Sequence, residues 1–378
     1  MKTKICEQLG IEFPILAFTH CRDVAAAVSK AGGFGVLGAV AHTPEQLDID
    51  LAWIAEEVGD KPFGVDLIVP AKYEGKNEGE LSVGKLKELI PGGHREFLDD
   101  LLDRYDVPPM PEDEGRSALA GESEAPMTYA QAVPLMDVAF AHPISLMVNA
   151  LGPPPPDMIA RAHENGVKVG ALAGKASHAV RHVAAGVDLI IAQGHEAGGH
   201  TGEIGTMVLV PEIVDAVAPV PVLAAGGIGT GRQMAASLAL GAEGVWCGSV
   251  WLTTTEAETH PAVKEKFLAA TSSDTLRSRS RTGKPARQLR SAWTDEWEGE
   301  SSPGTLGMPL QPMLIAEASR RIDRAAMNPD NTGAVQLANY FVGQIVGSMN
   351  ESKSADRVVI EMVEDFVDAI TRVNDMMA

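Results

Sequence analysis

The chain has 378 residues, 45% of them hydrophobic and 22% charged, a balance that excludes a disordered or fibrous protein and supplies enough apolar material for a sizeable core. Its 51 acidic against 31 basic side chains leave a net charge of −20, a field that repels nucleic acid phosphates and anionic lipid surfaces and points to a small-molecule partner. Three scattered cysteines, Cys6, Cys21 and Cys247, make neither a disulfide framework nor a zinc pattern. The N-terminal stretch MKTKICEQLGIEFPIL lacks an apolar signal core, and no apolar run is long enough to span a bilayer. A cytoplasmic protein without membrane contact is expected.

In chain order, short runs rich in Val, Ile and Leu alternate with Ala-rich amphipathic stretches, the order of βα units around a parallel sheet. The predicted strands are Pro14–Phe18, Phe34–Leu37, Phe63–Val69, Ile144–Val148, Val167–Leu172, Leu189–Ala192, Val222–Ala225 and Val245–Gly248. Helix starts stand at Thr43-Pro44-Glu45 and Pro156-Asp157, with proline at the first helical position. Helix stops read Lys30-Ala31-Gly32-Gly33, Glu164-Asn165-Gly166, Ala184-Ala185-Gly186 and Ala239-Leu240-Gly241-Ala242, each followed at once by a strand. Eight such units predict an α/β fold, a (β/α)8 barrel of the TIM type.

The regularity breaks twice. Residues 70 to about 130 are charged and rich in Pro and Gly, an insertion after the third strand with helical pieces near Val83–Ile90 and Glu96–Tyr105, expected to be a lid or a subunit contact. Beyond the eighth strand, residues 255–378 read mostly as helices and loops and end on the amphipathic VVIEMVEDFVDAITRVNDMM. The expected division is a barrel over 1–254 and a mostly helical region over 255–378 that packs on it.

In such a barrel the ligand site lies at the C-terminal ends of the strands. After the seventh strand stand Gly226-Gly227-Ile228-Gly229-Thr230-Gly231, and after the eighth Gly248-Ser249. Glycines let backbone N–H groups approach a phosphate, and a following helix N-terminus adds a favourable dipole. After the sixth strand comes Gln193-Gly194-His195-Glu196-Ala197-Gly198-Gly199-His200, which sets two histidines in a glycine-rich mouth loop. Histidine suits proton abstraction near neutral pH. No H-E-x-x-H helix accompanies them, so no metal is expected. Six cations, Arg277, Arg279, Arg281, Lys284, Arg287 and Arg290, crowd one segment of an acidic protein. They suit the phosphates of a dinucleotide or a coenzyme A thioester, or else pair with the acidic surface. Tyr340 and Gln344 are placed in the core or at the pocket rim, the late methionines in packing, and Trp246, Trp251, Trp293 and Trp297 at the barrel end.

The run AQGHEAGGHTG, followed about thirty residues on by VPVLAAGGIGTGRQMAASLALGAEGVWCGSVWL, resembles the nitronate monooxygenase family, formerly called 2-nitropropane dioxygenases, which includes related FMN-dependent enoyl-ACP reductases. PIL…AAAVSKAGGFGVLG, LGPPPPDMIARAHENGVKVGALAG, TGKPARQLR and YFVGQIVG are similar to family segments in the same order, so the resemblance covers most of the chain outside the insertion. It implies a TIM-type barrel holding FMN noncovalently. Gly226, Gly227, Gly248 and Ser249 would contact the phosphate, and Gln193, Gly198 and Gly199 would lie near the flavin ring. His200, the last residue of EAGGH, matches the family's catalytic histidine. It would remove the proton α to a nitro group, with FMN taking the electrons and dioxygen reoxidising it.

Two departures stand out. Where family members carry an A-P-M turn after the first strand, this chain has Ala17-Phe18-Thr19-His20-Cys21, so His20 would reshape the substrate pocket. Where many members carry Asn, it has Asp66, which normally only accepts hydrogen bonds. The pocket is therefore expected to include His20, Asp66 and His195. The leading expectation is an FMN-dependent nitronate monooxygenase acting on alkyl nitronates. Its alternatives are an NAD(P)H-dependent flavin reductase for a quinone or an enoyl or acyl-CoA compound, and a barrel that binds a phosphorylated metabolite without catalysis. Homo-oligomers are compatible with each.

Overall fold

A computed structural model describes residues 1–69, 83–111, 129–150 and 152–378. Eight parallel strands close into a barrel, in order β1 (Ile15–Thr19), β2 (Phe34–Gly38), β3 (Phe63–Leu67), β4 (Leu146–Asn149), β5 (Lys168–Ala173), β6 (Leu189–Gln193), β8 (Val222–Ala225) and β9 (Gly244–Cys247), with β9 pairing back onto β1. The predicted runs are the barrel strands, displaced by a residue or two at several ends. Alternation sorts each strand into two faces. Leu16, Phe34, Val36, Leu146, Val148, Leu189, Ile191, Leu223 and Trp246 fill the barrel interior, while Ala17, Leu37, Val65, Met147, Ile190 and Ala224 face the surrounding helices. By the same period, Asp66 on β3 and Gln193 on β6 point inward at the C-terminal mouth.

The helices begin and end where the chain chemistry directs. Before α3 (Pro44–Val58), the Thr43 hydroxyl accepts from the Gln46 N–H at 3.2 Å, an N-cap. α8 (Ala176–Ala185) stops on Gly186, whose φ of 103° suits a residue without a Cβ. The remaining barrel helices are α2 (Arg22–Lys30), α7 (Pro156–Glu164), α9 (Thr206–Val217) and α10 (Gly231–Ala239). One more, α6 (Tyr129–Ala141), lies behind the predicted insertion and packs on α3 and β3. Helix α1 (Lys4–Leu9) supplies Ile5 and Leu9 to the apolar cluster that fills the barrel.

A second core stands beside the barrel. Helices α11 (Pro261–Ala269), α12 (Ala292–Glu298), α13 (Leu310–Ala326) and α14 (Thr332–Leu337) build it around Phe267, Trp293, Trp297 and Ile315. The described part of the insertion, α4 (Val83–Glu88) and α5 (Gly92–Arg104), packs on α13 and contributes Leu98, Leu101 and Leu102. The rest of the insertion, residues 70–82 and 112–128, lies outside the described residues. The tail is less helical than expected, because β10 (Thr275–Ser278) and β11 (Ala286–Leu289) form a hairpin that pairs antiparallel with a two-residue strand, β7 (Gly199–His200). Of the late methionines, Met313 and Met349 are buried, whereas Met308 and Met327 are exposed.

The last helix, α15 (Ala355–Met377), does not join the second core. It lies against α10 and α2, with Ala355, Val359 and Met362 in the same core as the barrel strands, and so occupies the wall position of an eighth barrel helix. The approach is close: a Cβ on Gly231 would stand 2.0 Å from the Met362 carbonyl and 2.2 Å from the Phe366 nitrogen. Backbone cannot yield as a side chain does. Gly231→Ala is therefore expected to cost about 3 kcal/mol, at the upper end of overpacking, read as a lowered midpoint in chemical denaturation. Among the described residues no helix is long and apolar enough to cross a membrane.

Candidate active site

The mouth of the barrel is floored by aromatic side chains. Phe18 and Trp246 stack with ring centroids 5.9 Å apart, and His20 meets the edge of Phe18 at 5.1 Å. The His20 imidazole stands over Gly38, where a Cβ would come within 2.8 Å of it. Its Nδ1–H donates to the Gly38 carbonyl at 2.7 Å, which leaves Nε2 as the free nitrogen. Surrounding protein pushes the His20 pKa down, only partly opposed by that bond, and nearby His42 pushes it further.

Asp66 is 4% exposed. Burial raises its pKa well above the usual carboxylate range, and the Ala150 N–H only partly offsets this. A carboxyl held neutral donates a hydrogen bond, so the difference from asparagine is smaller than charge alone implies. The unfolded chain ionises near the ordinary 3.8 while the folded chain keeps its proton. Asp66 therefore lowers stability progressively as pH rises from about 4 to the folded pKa, by about 1.4 kcal/mol per unit of elevation. Asp66→Asn is expected to raise the thermal midpoint, with a gain that is small at pH 4 and grows as pH rises above it; a gain independent of pH would contradict a raised Asp66 pKa.

His42 was not singled out in the sequence. It follows β2, and its Nε2 lies 3.0 Å from Asp50 Oδ2, whose other oxygen accepts from Arg22 at 2.9 Å and Gln46 at 3.0 Å. The only cue is a histidine just before the Thr43-Pro44 helix start, which reads as capping.

The loop after β6 is pinned on several sides. The Glu196 carboxylate accepts from the Thr206 N–H at 2.9 Å and its hydroxyl at 2.8 Å, capping α9. The segment Tyr340–Ser348 crosses as a strap: Gln344 N–H donates to Glu196 O at 2.9 Å, and Gly343 N–H donates to Ser249 Oγ at 2.8 Å. A Cβ on Gly198 would lie 2.9 Å from the Gly343 nitrogen, so glycine is required there for the strap to pass. Arg287 and Arg277 of the hairpin reach the loop carbonyls of His195 and Thr201.

His200 sits on β7 at the exposed edge of this loop. Its Nδ1–H donates to the Pro285 carbonyl at 3.2 Å, which fixes the tautomer and leaves Nε2 unprotonated. Crowding by protein lowers its pKa, the Pro285 bond opposes this, and Lys284 adds a smaller downward push. The other loop histidine is turned inward: His195 Nδ1 lies 3.3 Å from Gly202 O and 3.4 Å from Arg277 Nη1.

The turn after β8 carries two left-handed residues, Gly226 (φ 109°) and Gly227 (φ 68°). A Cβ on Gly226 would meet Thr206 Oγ1 at 2.7 Å. Among the described residues no protein acceptor takes the N–H of Gly227, Ile228 or Ser249. At the start of α10, the Gln233 side chain accepts from Gly229 N at 2.9 Å and Thr230 N at 3.1 Å in a capping box, and Arg232 N–H donates to Asp365. Its first donors are thus spent within the protein, and the open donors belong to the glycine turn. Gly226, Gly227 and Gln344 also line a groove of about 400 Å³ with Ser237, Ser272 and Ile345.

The cationic segment does not face an incoming ligand as a unit. Arg281 donates to Asn339 Oδ1 at 2.8 Å and lies near the Tyr340 and Phe341 rings, Arg290 pairs with Asp295, and Arg287 is 4% exposed. Tyr340 is 37% exposed, with its ring beside the Arg281 guanidinium, and so does not belong to the core. Of the tryptophans, Trp246 lines the barrel end, Trp251 joins the barrel core, and Trp293 and Trp297 belong to the second core.

The sequence pattern of the family described as nitronate monooxygenase matches residues 2–365. The chain belongs to that family. A Mycobacterium tuberculosis protein described as a monooxygenase is 60% identical over the whole of both chains. A Staphylococcus saprophyticus protein named for nitronate monooxygenase activity is 30% identical, with 91% of this chain and 92% of the relative covered. Among solved structures, nitroalkane oxidase from Streptomyces ansochromogenes superposes with a TM-score of 0.78 at 25% identity, covering 98% of this chain and 99% of that one. FabK from Thermotoga maritima gives 0.70 at 27%, covering 100% and 99%. As a nitronate monooxygenase family member with this barrel, the protein is an oxidoreductase acting on a small molecule.

Proposed function

We propose that this protein is an FMN-dependent nitronate monooxygenase in which His200 is the general base. The observation that carries this reading is the His200 tautomer: Nδ1 is committed to the Pro285 carbonyl, so the basic Nε2 is the nitrogen left for a substrate proton. The glycine turn supports the cofactor. Gly226 and Gly227 have no Cβ to block a phosphate, the N–H groups of Gly227, Ile228 and Ser249 are open, and Ser249 Oγ, while accepting from Gly343, keeps its own proton to donate. These residues would hold the phosphate, and Gln193 and Gly199 would lie toward the ring. The bound flavin would supply the two-electron chemistry that side chains lack.

The protein's own part is positional and protonic. His200 removes the proton on the carbon bearing the nitro group, the Phe18–Trp246 floor keeps that carbon in a dry mouth, and a neutral Asp66 donates to a developing nitro oxygen instead of repelling it. Bleaching of a flavin band on anaerobic addition of ethyl nitronate, without bleaching by NADH or NADPH, is the expected outcome in visible spectroscopy. Bleaching by a nicotinamide would instead establish a reductase, and colourless protein that takes up no FMN would end the flavoenzyme reading.

A further inference from the structure

We propose that Arg287 is a positioning residue for His200, acting through the carbonyl of His195. The EAGGH loop needs such a device. Gly194, Gly198, Gly199 and Gly202 leave it little stiffness of its own, yet a general base must stay within hydrogen-bond reach of one proton. Arg287 grips the loop from the hairpin: Nε and Nη2 donate to His195 O at 3.2 and 3.1 Å, and Nη1 donates to Thr275 Oγ1 at 3.1 Å. One buried guanidinium thus joins the start of the loop to both strands of the hairpin.

The same residue sets the register. Arg287 pairs with Gly199 and its neighbour Ala286 with His200, so Pro285, one residue further, presents its carbonyl to His200 Nδ1. Loop position and imidazole tautomer are therefore linked through this one residue of the hairpin. Arg277 supplies a second tie, Nη2 to Thr201 O at 3.1 Å on the far side of the base. A lysine could make one bond to the His195 carbonyl but not the planar pair plus the Thr275 contact.

This inference rests on the reading of His200 as the base, and its test separates the two. Arg287→Ala, Arg287→Lys and Arg277→Ala are compared with His200→Ala by turnover of nitroethane and of preformed ethyl nitronate across pH, with flavin content and thermal midpoint recorded. Arg287→Ala is expected to keep FMN and to lose about 100-fold in kcat for nitroethane, the scale of an ångström of misplacement. Nitronate turnover should be little changed. The acid limb of the nitroethane profile should move up toward the ordinary histidine value as the loop opens to water, with Arg287→Lys intermediate in both rate and limb. Should Arg287→Ala fail to fold, the lysine variant and Arg277→Ala carry the same comparison. An unmoved limb together with equal losses on both substrates would overturn the positioning role. Loss of nothing in His200→Ala would instead overturn the base assignment itself.

Discussion

Replacing His200 with alanine is expected to lower kcat/KM for a neutral nitroalkane by about 10²–10⁴-fold, the contribution of a well-placed general base. Preformed nitronate has no such proton to lose and should be turned over at close to the parent rate. The pH profile supplies a second check. The His200 pKa lies below its ordinary 6.5, and the active form is the neutral one. Activity toward the nitroalkane should therefore rise with pH along a limb below 6.5 and then level off. Measured on both substrates in one buffer series, a limb above 6.5, or an equal loss for both forms in the variant, would count against His200.

Gly226→Ala is expected to have the second large effect, on cofactor retention. A φ of 109° is a region that alanine occupies at a cost of roughly 1–3 kcal/mol. The new Cβ would also press on Thr206 Oγ1, which is tied to Glu196. Relief requires the turn to flip, which redirects the Gly227 and Ile228 N–H groups. FMN affinity should fall at least tenfold, about 1.4 kcal/mol, while the denaturation midpoint changes by less than that of Gly231→Ala. Fluorescence titration of apoprotein with FMN reads this directly; unchanged affinity would remove the phosphate from this turn.

The barrel strands were legible because each is a short, mostly apolar run with glycine or proline at or shortly before its start, and their few polar residues, such as Asp66 and Gln193, stand toward the mouth ends. EAGGH and AAGGI were legible as composition. Less visible was what the loop is built against. A two-residue strand at Gly199 and His200 has no period to detect, and its partner strands contain Arg277 and Arg287, which look like surface residues because carbonyl acceptors leave no mark in a sequence. Helix α6 was hidden by Pro134 inside it and by the charged stretch before it. The His42–Asp50 pair joins a loop to the second turn of α3, a contact that exists only once the helix packs. The contact of His195 with Gly202 and Arg277 was equally unreadable, since two histidines in one glycine-rich loop are interchangeable until a hairpin takes one side.

The placement of α15 bears on how the chain is made. A ribosome that has finished β9 must still produce the hairpin, the second core and the strap before the segment that seals the wall between α10 and α2 emerges. Until then those two helices present apolar flanks with nothing over them, the condition in which nascent chains attract chaperones or one another. A message cut short before the codon for Ala355 would therefore yield a protein with every residue of the mouth present and an open seam down its side.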